Sequence, residues 1–228
     1  VTVSSPAARG ALALSGAQTW TDGAPVDAAL LGLAPGPVLV LPTGAAYERP
    51  DHLVDLARAH FAAFGTEVTA AMVLRRPDAE DPEFAKIVRG ARLIYLCGGS
   101  PLHLRSVLKD SLVLDAMVRA WHDGATIAGM GAGAVALTDP MVDPRGGAFT
   151  VGLGLVRNLA AVPATASEAS THRRTIALLP AECALVELPP SGAAIRLGDG
   201  TWMGIGDPVV SVGRERADLA DLAGKSVW

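Results

Sequence analysis

The residues of this chain best placed to do chemistry stand where three apolar runs end: Pro-Thr-Gly at positions 42–44, Cys-Gly-Gly-Ser at 97–100 and Gly-Met-Gly-Ala-Gly-Ala at 129–134. In an open α/β sheet ligands gather at the carboxyl ends of the strands, so each of these is where a site should form. The third has the spacing of a nucleophile elbow, a strand-to-helix turn too tight for bulk two residues before or after its centre. Gly129 and Gly133 meet that demand around Gly131. Such a turn aims the N–H of the next residue, Ala132, at a developing oxyanion, and the pair Gly98-Gly99 is placed to supply a second donor. The chemistry implied is acyl transfer, yet Gly131 has no atom that attacks a carbonyl. The same glycines also suit close packing of a helix on a strand, or a phosphate-binding turn. The spacing G-x-G-x-G lacks the third glycine position of the dinucleotide fingerprint, which disfavours a nucleotide.

Other reactive types have plain readings beside the sharp ones. Cys97 precedes the glycine loop and is read as core packing, as is Cys183. Ser100 either binds a ligand carboxylate or caps the helix that begins near Leu102. His172 is either a displaced base or a polar residue in the first turn of a surface helix, and Arg173 and Arg174 beside it are read as solvated. His52, His60, His103 and His122 lack a ligand-type partner one helical turn on, and neither cysteine has Cys or His at ligand spacing, so no metal and no cofactor is expected.

The elements that must position these residues alternate. Residues 38–44 form a strand ending in a turn, and after Pro50 an amphipathic helix is expected with Leu53, Leu56, Ala57, His60, Phe61 and Phe64 on its buried face and Gly65 as its stop. A second strand over 67–74, a short helix over 81–91, a third strand over 91–100, about two helices over 102–124, and a fourth strand running into the glycine turn follow. Strands alternating with helices predict a mostly parallel sheet covered on both faces, a three-layer α/β/α fold. Past Pro140 the chain becomes glycine-rich and loop-like over 143–158, a short helix follows His172, and brief runs over 184–188, 193–197, 201–205 and 208–212 read as late strands, antiparallel at one edge. These pieces are too short for a separate core, so a single domain over residues 1–228 is expected.

Composition excludes several classes. The 228 residues are 50% hydrophobic and 18% charged with a formal net charge of -4, and Lys and Arg form no run that would track a phosphate backbone. Nucleic acid is not an expected partner. No apolar stretch reaches the ~20 residues of a membrane helix, and the first ten residues lack the pattern of a signal peptide, so a cytoplasmic protein off the membrane is expected. Trp202 in a late strand and Trp228 at the carboxyl end suggest edge packing or a contact between copies in a homo-oligomer.

Segments 90–108 and 124–141, together with 38–46, 64–68 and the Gly152–Val156 run, resemble the dipeptidase E and cyanophycinase family of serine peptidases, which share a class I glutamine-amidotransferase-like fold. That resemblance implies a serine at position 131 within G-x-S-A-G-A, with oxyanion donors at Gly99 and Ala132; Gly98 and Ser100 beside them are read from their placement as ligand contacts. It further implies a general base at Ala164 and, by the loosest correspondence, an acid at Pro190. None of these three triad positions carries the required side chain here. His172, eight residues past Ala164, and Glu187, three before Pro190, are the displaced candidates. The resemblance thus implies a catalytically silent homologue that binds a small peptide or amino-acid-like ligand. The alternative is a hydrolase of small peptides or amides whose nucleophile position has been altered or engineered.

Overall fold

The computed structural model describes residues 9–17, 20, 24–164, 169–213 and 215–223. The first part of the chain runs β1 (Leu12–Ser15), α1 (Ala24–Leu33), β2 (Val38–Leu41), α2 (Pro50–Ala62), β3 (Val68–Ala70), α3 (Arg76–Ala79), α4 (Pro82–Arg89), β4 (Leu93–Leu96), α5 (Pro101–Leu108), α6 (Leu112–His122), β5 (Thr126–Met130) and α7 (Ala132–Leu137). Short strands follow: β6 (Thr138–Asp139), β7 (Met141–Val142), β8 (Phe149–Thr150), β9 (Val156–Arg157) and β10 (Leu159–Pro163). After α8 (Ala169–Leu178) come β11 (Ala184–Leu188), β12 (Ala193–Arg196), β13 (Trp202–Ile205), β14 (Val209–Val212) and β15 (Glu215–Ala217).

A seven-stranded sheet ordered β13-β12-β1-β5-β4-β2-β3 forms the middle layer. Strands β1, β5, β4, β2 and β3 are parallel to their neighbours, whereas β12 and β13 add antiparallel at one edge. The strand period of two divides the side chains cleanly between the covering layers. Leu12, Leu14, Leu39, Leu41, Ile94, Leu96 and Ile127 pack on the side of α4, α5 and α6. Ala13, Val38, Val40, Leu93, Tyr95 and Ala128 pack on the side of α1 and α2. Because both faces are buried, these runs read as continuously apolar. The fold is three-layer α/β/α with a mostly parallel central sheet, as the alternation predicts.

A second sheet of six strands, β15-β14-β11-β10-β6-β9, holds most of the last third, and one apolar cluster runs from Leu12 and Leu96 through α7 to Leu159, Leu185 and Val186. This corrects the expectation that the late strands lie together at one edge: β12 and β13 do, but β11, β14 and β15 belong to the second sheet. Segment 143–158 is also less loop-like than expected, since β8 and β9 lie within it. Trp202 packs within its own chain, its indole N–H donating to the Leu222 carbonyl at 3.1 Å, and Trp228 lies outside the described residues.

Two early elements have weak signals. The Leu-Ala-Leu-Ser run of β1 is short and holds no β-branched or aromatic residue, the types that favour strands, yet it sits in the sheet between β5 and β12. Helix α2 buries Val54, Ala57 and Phe61, while Leu56 and Phe64 are 46% and 36% exposed, so the buried face is rotated from the one expected. His60 is held by a side chain the local pattern could not reveal. Its Nε2 lies 2.8 Å from Oδ2 of Asp27 on α1, and the same buried carboxylate accepts the Tyr95 hydroxyl. Among the described residues no helix is long and apolar enough to cross a membrane.

Candidate functional site

Strand β5 delivers the chain to Gly131 between β1 and β4, and α7 leaves at once. Gly131 takes φ 54° and ψ -110°, a conformation that a side chain would strain, and its N–H donates to the Ser15 carbonyl at 2.9 Å. The flanking glycines are steric necessities. A Cβ at Gly129 would stand 2.5 Å from the Ala134 nitrogen, and one at Gly133 would overlap the Leu96 carbonyl oxygen. The turn therefore has the backbone of an elbow with a glycine at its centre. Ala132, first residue of α7, has no helical acceptor for its N–H, as at any helix start.

The second donor loop is locked to the first strand-end turn. A Cβ at Gly44 would lie 2.9 Å from the Gly98 carbonyl carbon, and Gly98, at φ 112°, has no room for a Cβ against the Ala45 nitrogen. Backbone bonds from Gly44 N–H to the Cys97 carbonyl (3.1 Å) and from Ser100 N–H to the Gly44 carbonyl (3.0 Å) pin the two loops together. Ser100 is the cap of α5, its hydroxyl accepting from the His103 N–H at 3.1 Å. Cys97 lies beneath the loop, fully buried, and burial pushes its thiol far above the usual range. A thiol held protonated is a poor nucleophile.

Gly98, Gly99, Gly131 and Ala132 form the floor of a cleft of about 310 Å³. Its remaining walls are Ala17, Ala45, Met130 and a group that sequence reading missed: Glu48, Arg49, His52, Leu53 and Leu56. These come from the residues between β2 and α2 and from the first turns of that helix. Because α2 faces the sheet with Val54, Ala57 and Phe61, Leu53 and Leu56 turn toward the cleft. The Glu48 carboxylate lies against Gly99, its Oε1 2.9 Å from where a Cβ would stand. Arg49, just before Pro50, is held in the left-handed region at φ 57° and ψ 66°. Among the described residues none of the side chains of Glu48, Arg49 and His52 is engaged in a hydrogen bond or ion pair. The available signal was positional: they follow the Pro-Thr-Gly strand end that the sequence already marks.

Ala164 follows β10 and donates its N–H to the Leu188 carbonyl at 2.6 Å, and the Leu188 and Pro189 carbonyls close on Gly16, next to the Ser15 that holds Gly131. Ala164 and Pro190 follow the ends of β10 and β11, bear no titratable group, and do not line the cleft over Gly131. His172 and Glu187 find each other instead, Nε2 to Oε2 at 3.3 Å, with side chains 39% and 26% exposed. Neither lines the cleft over Gly131. Among the described residues no group of three His, Cys, Asp or Glu is placed to hold a metal ion.

Comparison with known proteins agrees with this arrangement. The sequence model of peptidase family S51 matches residues 11–149, a span that includes β1, both glycine loops, the cleft helix α2 and the elbow. A peptidase from an acI-B1 Actinobacterium superimposes with a TM-score of 0.82 at 24% identity, covering 98% of each chain. A putative peptidase E protein from Listeria monocytogenes EGD-e gives a TM-score of 0.64 at 16% identity, covering 90% of this chain and 99% of its own. A search of curated proteins finds no match. The resemblance to dipeptidase E drawn from the sequence therefore holds, and the chain belongs to peptidase family S51.

Proposed function

We propose that this protein is a peptidase-family member that binds a small peptide or amino-acid-like ligand in the cleft over Gly131 without cleaving it. The observation that carries the reading is an elbow whose backbone is intact around a residue with no side chain. Acyl transfer needs an attacking atom, and with it gone only the donors and the binding surface remain, which retain a small share of catalysis at most. Ala164 and Pro190, to which the family resemblance maps the base and the acid, carry neither, and support the same reading. The arrangement that survives is a binding arrangement: backbone donors at Gly99 and Ala132, polar side chains at the rim and an apolar wall.

The His172–Glu187 pair supports the second reading, a hydrolase with a relocated base, because an imidazole oriented by a carboxylate is what a general base requires. The two readings part on Gly131→Ser. The proposed function expects neither the original protein nor Gly131→Ser to release product from aspartyl dipeptides or other small amides, followed by chromatography. It also expects no labelling of the variant by a serine-reactive fluorophosphonate. Turnover or labelling gained by Gly131→Ser would establish the second reading instead.

A further inference from the structure

We propose that the cleft selects a zwitterion of amino-acid or dipeptide size with an aliphatic side chain, its ammonium group on Glu48, its carboxylate on Arg49 and its side chain against Leu53 and Leu56. This rests on the reading of the cleft as a binding site and names what it binds. At about 310 Å³ the cleft stands at the lower end of small-molecule sites. Its lining includes the adjacent residues Glu48, whose carboxylate lies against Gly99, and Arg49, neither side chain engaged elsewhere among the described residues. A ligand bearing both charges satisfies both groups, whereas an added acidic side chain would face the Glu48 carboxylate at close range. The apolar wall points the same way. Leu56 is 46% exposed on a helix whose sheet-facing positions are filled by Val54, Ala57 and Phe61, so it has apolar surface to cover that the fold does not cover.

Two backbone features hold the charged pair where this ligand needs it. Gly99 has no side chain, and the Glu48 carboxylate rests in that space, beside the donor loop. An ammonium group on Glu48 therefore leaves the ligand's carbonyl within the domain of the Gly99 and Ala132 N–H groups. Arg49 occupies left-handed backbone immediately before a proline, a conformation against its own preference that the surrounding fold maintains. Strain of this kind collects at ligand clamps.

The test is calorimetric titration of the full chain with leucyl-glycine, aspartyl-glycine, N-acetyl-leucyl-glycine and leucyl-glycinamide. Leucyl-glycine is expected to bind at least tenfold more tightly than aspartyl-glycine. N-acetylation and Glu48→Gln should each weaken leucyl-glycine about tenfold, as loss of a hydrogen bond to a charged group does, and the two losses should not add. The amide and Arg49→Met should behave as a second such pair. Equal or tighter binding of aspartyl-glycine overturns the proposal, as does an affinity for leucyl-glycine that neither Glu48→Gln nor Arg49→Met changes, or no binding of leucyl-glycine. Cleavage of the peptide during the titration would instead defeat the silent-cleft reading, and the same comparisons made on KM would then decide the ligand class.

Discussion

Helix α2 carries a polar cluster at each end, and the two could hardly be used more differently. At its start Glu48, Arg49 and His52 border open space beside the elbow with their side chains unengaged. Near its end His60 meets Asp27, which also accepts the Tyr95 hydroxyl, and Trp20 covers the group, its ring 5.1 Å from that of Tyr95 and 5.4 Å from that of Phe61. By residue type the second cluster is the better catalytic triad: carboxylate, imidazole and hydroxyl in one hydrogen-bonded chain. By position it is none, because the Asp27 carboxylate and Tyr95 are buried in the core, the carboxylate bonded to both the Tyr95 hydroxyl and His60, and none of the three lines the cleft over Gly131. Residue types do not make a site. Polar groups left without partners beside a void, at the carboxyl ends of parallel strands, do.

That contrast can be broken from either end of the helix. The largest effect is expected from Asp27→Ala, which strands the Tyr95 hydroxyl and the His60 ring in a low-dielectric core and should cost about 3 kcal/mol in chemical denaturation. The cleft should remain able to bind in whatever fraction stays folded. A smaller effect is expected from pH. Burial pushes the Asp27 carboxyl above its ordinary 3.8, against the Tyr95 hydrogen bond and the nearby His60, so the folded chain keeps this proton when the unfolded chain has lost it. The stability this group contributes is full below its ordinary value and is lost as pH rises through the raised one. Urea midpoints measured across that window should fall with rising pH more steeply for the original protein than for Asp27→Asn; equal slopes would remove Asp27 from the account. The smallest effect is at the other end of the helix. Arg49→Gly releases left-handed strain at some cost in chain entropy, and a net gain of about 0.5 kcal/mol is expected together with weaker ligand binding. A loss of stability there would mean that the arginine side chain holds the fold and not a ligand.

The sequence made legible whatever depends on local backbone demands. Glycines at 129 and 133 announce the elbow because the turn has no room for a Cβ at either, and the strand-helix alternation from Val38 to Leu137 follows from apolar periodicity. What stayed hidden depends on how elements dock. Strand β1 is too short and too poor in β-branched residues to declare itself, though its Ser15 carbonyl holds Gly131. The rim residues Glu48, Arg49 and His52 depend on which face of α2 meets the sheet, and the spacing of Leu53, Leu56 and Phe64 suggested the wrong one. Whether His172 would lie near the elbow depended on a second sheet that joins β11 and β14, legible as strands, to β6, β9 and β10, which were not. Its partnership with Glu187 joins residues on α8 and β11 that no pattern along the chain connects.

Gly131 also bears on how such a chain can change over generations. The turn is shaped by the glycines on either side and by a main-chain bond to Ser15, so the fold asks nothing of the side chain at its centre. A serine there would carry positive-φ strain that catalysis alone would justify. Exchange of such a serine for glycine would relax the backbone and leave the architecture standing. Chemistry at this position can be lost while the cleft persists, free to be selected for another ligand.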